Sequence, residues 1–443
     1  LQQTFVLYND WTASSHGSYN TAFGTTSSYY YQGALYVQAA ANIKIDLNGH
    51  TLSRGLTSST GRAYGYVIRV SGKLEIIDSS EDPAKKGTVT GGYNLTADYR
   101  GGGAISVYSG GALTVNGGLF TGNHGGQVGA IAVHTAGTIN LGGSTVIKEN
   151  YGISNAPEGI FLANTSGVIG ITSQLTGGQI FGVTRRGFGA LTKGYGLTNT
   201  ADPATLFVSD DSMWKVSSEG EGSSLEASVY SLDGATNWDH AVRTSLSNGG
   251  APEVCTLYED FVAKYNSSYY TSFGTNYSYY GSLNVPSGAH VILNLNGYKV
   301  DRSMNTNYGS GYVFYVNGTL EIDDYTKDQT GEDGTAREEG KITGGIGSTA
   351  GAIYVTGTNS HLILKGGTIT GNSGKYAIYL SSNATISVSD SAKVLGNKNS
   401  ANVESNIYLA NSATYINVIS KFRDDAKIGF SRDTNNALSP ICT

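Results

Sequence analysis

The residues best suited to acid–base chemistry are three pairs of adjacent carboxylates, Asp210–Asp211, Asp323–Asp324 and Asp424–Asp425. Two carboxylates held about 5–10 Å apart could hydrolyse a glycosidic bond. Arg185–Arg186 would supply a cationic partner, but a solvated edge accounts for the pair better. The seven histidines, at 16, 50, 124, 134, 240, 290 and 361, show no metal-ligand spacing. No serine-nucleophile elbow, Walker loop or calcium nonapeptide is present. "GGGAISV" at 101–107 is a corner and not a dinucleotide loop, because no helix follows it. The sequence therefore assigns no catalytic residue, no metal ligand and no cofactor.

Tyrosine is the other chemically distinctive side chain. "YNTAFGTTSSYYYQGAL" (19–35) and "YNSSYYTSFGTNYSYYGSL" (265–283) carry Tyr29, Tyr30, Tyr31, Tyr269, Tyr270, Tyr277, Tyr279 and Tyr280. An apolar ring with a polar tip suits sugar stacking and protein interfaces alike. Three roles stay open for these rings: sealing the end of a scaffold, meeting a neighbouring subunit, or contacting a glycan.

Composition narrows the frame that holds them. Of 443 residues, 62 are Gly and 31 Tyr, against 6 Pro and 14% charged residues. With 39% hydrophobic residues the chain can build a core, and its Gly and Asn supply tight turns between short strands. A net charge of -6 without a basic run gives no footprint for nucleic acid. No apolar run reaches the ~18 residues of a membrane span. Two cysteines exclude a disulfide-dense scaffold. An opening at Leu1 in place of an initiator methionine is what a processed, secreted chain would show. Six sequons, at Asn94, Asn164, Asn266, Asn276, Asn317 and Asn383, carry little weight in so Asn-rich a chain.

The frame repeats itself. "LYNDW" at Leu7 returns as "LYEDF" at Leu257, and "DLNGHTL" at Asp46 as "NLNGYKV" at Asn294. "VIRVSGKLEI", "GGLFTGN" and "GIFLAN" return as "VFYVNGTLEI", "GGTITGN" and "NIYLAN". The chain is a tandem duplication, and each copy contains a finer period of about 25–30 residues. Three series of short alternating strands are expected. The first is centred on Ile45, Ile68, Ile105, Ile131 and Ile160, and on Leu293, Phe314, Ile353, Ile378 and Ile407. The second follows Leu74, Leu113, Ile139 and Ile169, and Leu320, Leu362, Ile386 and Ile416. The third follows Val89, Phe120, Val146 and Ile180, and Ile342, Ile369, Val394 and Ile428. Three strands per period describe a parallel β-helix, in which each coil buries its apolar side against the next. No carboxylate pair recurs at one phase of the coils, as a catalytic cleft along such a scaffold would require.

Stacked strands need covered ends. "TFVLYNDWTASS" and "VCTLYEDFVAKY" are expected as N-terminal caps, and "TLFVSDDSMWKVSS" and "SSLEASVYSLDG" as irregular strands closing the first unit. "NWDHAVRTSLSNGGAP" is expected as a linker. The expected domains are residues 1–188 (unit 1 with its cap), 189–250 (closing segment and linker) and 251–443 (unit 2 with its cap). "SPICT" at the C-terminus resembles "PEVCT" at 252–256, which makes Cys442 a counterpart of Cys255. The likeness admits coincidence, a disulfide, or head-to-tail docking of one subunit on another.

"IDLNGHTL" and "LNLNGYKV", "GGLFTGN" and "GGTITGN", "GIFLAN" and "NIYLAN", and "KGYG…LFVSDD" resemble secreted and cell-wall proteins of Gram-positive, Clostridia-type bacteria with a pectin-lyase-like right-handed β-helix. The resemblance covers most of both copies. It implies an all-β fold of two tandem right-handed parallel β-helix units, and an extracellular or cell-surface location. It also implies a non-catalytic structural or adhesive role; together with the likeness of "SPICT" to "PEVCT", the expected partners are further copies of the chain, in a filament or array, and a glycan or host surface. The alternative it leaves is a polysaccharide-binding or polysaccharide-degrading protein.

Overall fold

The computed structural model describes residues 1–13, 22–23, 35–57, 65–82, 84–94, 101–126, 128–152, 159–262, 283–307, 309–328, 338–381, 383–409 and 415–432. The chain is all-β and divides into two compact units, Leu1–Ser231 and Leu232–Thr443. Short strands of Val, Ile, Leu and Phe alternate with polar residues, so each strand turns one face inward.

Unit 1 holds three main parallel sheets among its described residues. The first joins Gln3–Val6, Asn42–Asp46, Lys73–Ile77, Ala112–Val115, Thr138–Gly143, Ile169–Leu175 and Thr192–Lys193. The second joins Trp11–Thr12, Thr51–Ser53, Thr88–Thr90, Leu119–Phe120 and Val146–Ile147. The third joins Ala22–Phe23, Leu35–Val37, Ile68–Val70, Ile105–Val107, Ile131–Val133, Ile160–Leu162, Phe181–Thr184 and Phe207–Ser209. Gly189–Ala190, Trp214–Glu219 and Glu226–Ser231 then form an antiparallel sheet, the irregular closing strands expected of this segment.

Unit 2 holds three parallel sheets of six strands each among its described residues. Pro252–Thr256, His290–Asn294, Thr319–Asp323, His361–Leu364, Thr385–Asp390 and Ile416–Phe422 make the first. Phe261–Val262, Lys299–Asp301, Lys341–Thr343, Thr368–Ile369, Lys393–Val394 and Lys427–Ile428 make the second. Leu283–Val285, Phe314–Val316, Ala350–Val355, Tyr376–Leu380, Ile407–Leu409 and Phe430–Arg432 make the third. Consecutive strands fall in different sheets, an arrangement compatible with a solenoid.

Registers stack like side chains over one another. Ile68, Ile105, Ile131 and Ile160 form one buried column, and Phe314, Ile353, Ile378 and Ile407 another. Four expected positions need correction. Ile45 pairs with Ile76, and Leu293 with Ile322, so both belong with the second series. Leu35 and Leu283 take their places at the head of the first. In the third series Ile147, and not Val146, stands over Phe120, and exposed Ile180 precedes a strand of another sheet. A two-residue strand is too short for its apolar pattern to fix its phase.

The expected linker is also corrected: Gly234–Ser247 is a 14-residue helix within unit 2. Trp238, Ala241, Val242 and Ser245 recur at helical spacing and are buried. The Asp233 carboxylate caps the helix by accepting from the Thr236 amide at 3.1 Å. The Trp238 indole donates to the Asn284 carbonyl at 3.2 Å and lies 5.5 Å from the Phe314 ring. The helix thus covers the start of the unit. "PEVCT", which overlaps the expected cap "VCTLYEDFVAKY", is the edge strand beneath it.

Two repeated motifs hold the corners. In "LNG", Asn48 and Asn296 adopt φ of 46° and 49°, and the following Gly49 and Gly297 adopt 76° and 80°. Two consecutive left-handed residues suit Asn–Gly and few other pairs. The two Asn carboxamides donate to the carbonyls of Leu7 and Leu257, each at 3.0 Å, which ties "LNG" to "LYNDW" and "LYEDF". In "TGN", Asn123 and Asn372 are buried donors. Asn372 gives its Nδ2 protons to Ile342 O, Thr370 O and Asn397 Oδ1 at 3.0 Å. Asn397 repeats this to Ile369 O, Leu395 O and Asn406 Oδ1 at 2.9–3.2 Å. Each carboxamide ties its own corner to the neighbouring strand, and Ile342 O and Ile369 O accept from it as well as from the Thr370 and Leu395 amides. Asn397→Ala would strand several buried groups at once. We expect it to destabilise unit 2 by about 3 kcal/mol, read as a fall in its denaturation midpoint.

Candidate functional site

Asp323, Asp324, Asp425 and Asp211 are held by partners within the fold. Asp324 accepts from the amides of Gly297 and Thr326 at 3.0 and 3.1 Å and from the Thr326 hydroxyl at 2.7 Å. Asp323 accepts from the Asp324 amide at 2.8 Å. Asp425 meets Lys393 Nζ at 2.7 Å, and that hydrogen bond holds its carboxyl below the usual range. Asp211 accepts from Arg186 Nε at 2.9 Å and from the Met213 amide at 3.1 Å.

Asp210 is different. It lines a cleft of about 220 Å³ with Lys148, Glu149, Asn150 and Gln179, and accepts from the Gly159 amide at 3.0 Å. Burial pushes its pKa up to about 6 against that hydrogen bond. Arg185, taken from sequence as a solvated edge, is 1% exposed. Its guanidinium donates to the carbonyls of Gly167, Gly187, Gly189 and Ala190 at 2.5–3.1 Å. It closes the turns at the end of unit 1 and points at no cleft. The pair divides: Arg186 is exposed and holds Asp211.

Tyr29, Tyr30, Tyr31, Tyr269, Tyr270, Tyr277, Tyr279 and Tyr280 lie outside the described residues, as does Cys442. Cys255 is a free thiol, buried in the inner column over Leu293, and burial pushes its pKa up to about 12. A thiol in that state is inert as a nucleophile.

A different set of tyrosines is brought together. On the third sheet of unit 2 the outward column runs Asn284, Tyr315, Tyr354, Tyr379, Tyr408, Ser431. Ring centroids along it are 5.8, 5.2 and 6.1 Å apart, at interplanar angles of 6°, 27° and 13°. Tyr312 lies 5.6 Å from Tyr354, and Tyr376 stacks on Tyr408 at 3.9 Å. All six rings are partly exposed. Lys375 Nζ stands 5.4 Å from the Tyr376 ring at the rim. Parallel pairing in register creates this face, because one outward residue per strand recurs above its predecessor. The signal was in the sequence. Each of the strand centres Phe314, Ile353, Ile378 and Ile407 is followed by Tyr.

The matching column of unit 1 runs Tyr36, Arg69, Ser106, Ala132, Phe161. Ser106 and Ala132 are buried there, and the Arg69 guanidinium lies 4.1 Å from the Tyr108 ring. Unit 1 has a smaller aromatic stack elsewhere, with His124 between Tyr93 and Tyr151 at 4.7 and 5.4 Å.

Two expectations follow. Arg185→Ala leaves four carbonyls without their donor and should destabilise unit 1 by about 2–4 kcal/mol, measured as a lowered unfolding midpoint. Asp210 has a folded pKa near 6, above its ordinary 3.8. Its contribution to stability is therefore greatest below that ordinary value and is lost as pH rises through about 6. Asp210→Asn should flatten the fall in unit 1 stability between pH 4 and pH 7, followed by urea unfolding; an unchanged slope would remove Asp210 as its cause.

No protein-family model matches this sequence, and neither a curated protein nor a solved structure matches it.

Proposed function

We propose that the protein is a non-catalytic extracellular structural or adhesive protein. In this reading it consists of two tandem right-handed parallel β-helix units with three strands per coil, akin to pectin-lyase-like surface proteins, and copies join head to tail. The three-sheet parallel topology of each unit supports the solenoid. The observation that carries the assembly is the state of the terminal strands.

Val418 stands over Val388 and Leu364 in an inner column, yet it is 39% exposed while they are buried. Phe430 stands over buried Ile407 and is 46% exposed. Among the described residues these strands are also sheet edges. An apolar column ending on an unpaired edge favours a further strand in the same register. The first strands of a second copy offer that register. The contact is heterologous, so it extends without closing.

Sedimentation velocity and negative-stain electron microscopy test this. Elongated oligomers should grow with concentration, and Val418→Lys with Phe430→Lys should reduce them to monomers without lowering the melting temperature. A chain that stays monomeric at every concentration would refute the assembly. A second reading, polysaccharide binding, is favoured by the tyrosine face of unit 2.

A further inference from the structure

The tyrosine face is not required by the scaffold. Unit 1 builds the corresponding sheet with Arg69, Ser106, Ala132 and Phe161 in the same outward column. Unit 2 instead places a tyrosine on four consecutive strands and adds Tyr312 and Tyr376 beside them. A ladder that the fold can do without, kept partly exposed, calls for another explanation.

Its chemistry is specific. Among the described residues the hydroxyls of Tyr354, Tyr376 and Tyr379 make no hydrogen bond, and none of them is a buried unsatisfied atom. Each can donate and accept. From Asn284 to Ser431 the column itself contains no acidic or basic side chain, and Lys375 beside the Tyr376 ring is a single cation at its rim, too little to favour a charged polymer over a neutral one. The rings stack on one another, so the middle of the ladder offers ring edges and oxygens, not open faces. From Tyr315 to Tyr408 it spans four strands, roughly 14 Å. That is small for a stable protein interface, which takes about 800 Å² from each partner. It suits a short length of a slender chain that carries hydroxyls throughout.

We propose that this face binds a neutral polysaccharide laid along the tyrosine column, with the hydroxyls of Tyr354, Tyr376 and Tyr379 as its hydrogen-bonding groups. The inference rests on the second reading above and is independent of head-to-tail assembly. The site is a binding surface, and no reaction is assigned to it.

Affinity electrophoresis of the full chain in gels containing β-glucan, xyloglucan, mannan or polygalacturonate tests the proposal. At least one neutral polymer should retard the protein, and polygalacturonate should not. The triple variant Tyr354→Phe, Tyr376→Phe, Tyr379→Phe keeps the ring stack and removes the three hydroxyls. It should weaken binding about tenfold or more with an unchanged melting temperature. Silence across the neutral polymers, retardation by polygalacturonate alone, or equal retardation of the variant would each overturn the proposal. A marked fall in the variant's melting temperature would assign the hydroxyls to the fold and overturn it too. Running the Val418→Lys, Phe430→Lys protein alongside separates the readings, because it should keep the glycan shift even where assembly is lost.

Discussion

Parallel pairing in register is the constraint on which this molecule depends. A residue in one strand stands over its counterpart in the next, so a single choice of side chain is repeated along a column. The inner columns are apolar because a short strand cannot bury its own side chains. Phe314, Ile353, Ile378 and Ile407 are buried only because each lies against the next. Slipping one strand by one residue would expose the whole set.

The same constraint shapes the turns. A chain that must return to the same register each time needs corners of fixed geometry. Gly344 supplies one with φ of 75°, and a Cβ on neighbouring Gly345 would stand 1.8 Å from the Gly351 carbonyl oxygen. The buried carboxamides of Asn372 and Asn397 then tie each corner to a carbonyl of the neighbouring strand. The ends are where repetition stops and other devices take over. Unit 1 finishes in an antiparallel sheet with Arg185 holding four carbonyls. Unit 2 begins beneath the helix Gly234–Ser247.

Outward columns are free of the demands of the core, and there the two units differ. Both keep the "LNG" corner bonded to the opening "LY" strand and a carboxylate holding that corner, Asp78 in one and Asp324 in the other. They part at the face of the third sheet, where one column holds Arg69, Ser106 and Ala132 and the other carries tyrosine on four consecutive strands. Stacked aromatic pairs contribute about 0.5–1.5 kcal/mol each beyond their buried area. Such a ladder therefore stiffens its sheet as well as presenting a surface.

The sequence by itself determined the class of fold and most of the inner columns. Alternation with period two marks the inward residues, and repetition marks which of them lie over one another. It set out the corners too, because Asn–Gly and paired glycines suit backbone that few other residues adopt. It did not determine where Ile45, Leu293, Val146 and Ile180 belong. A short strand looks alike in any sheet, and only the hydrogen-bonded register distinguishes them. The helix at 234–247 was hidden because Ser, Thr, Asn and Gly dilute its apolar stripe, and Trp238 finds its partners only in the folded unit. The burial of Arg185 was hidden because the chain at Gly187, Gly189 and Ala190 curls back onto its guanidinium, beside Gly167, only after folding. The tyrosine face lay in plain view as one Tyr after each strand centre. Its meaning awaited the tertiary structure, because residues 25 to 39 apart become neighbours about 5 Å apart only when parallel strands are stacked.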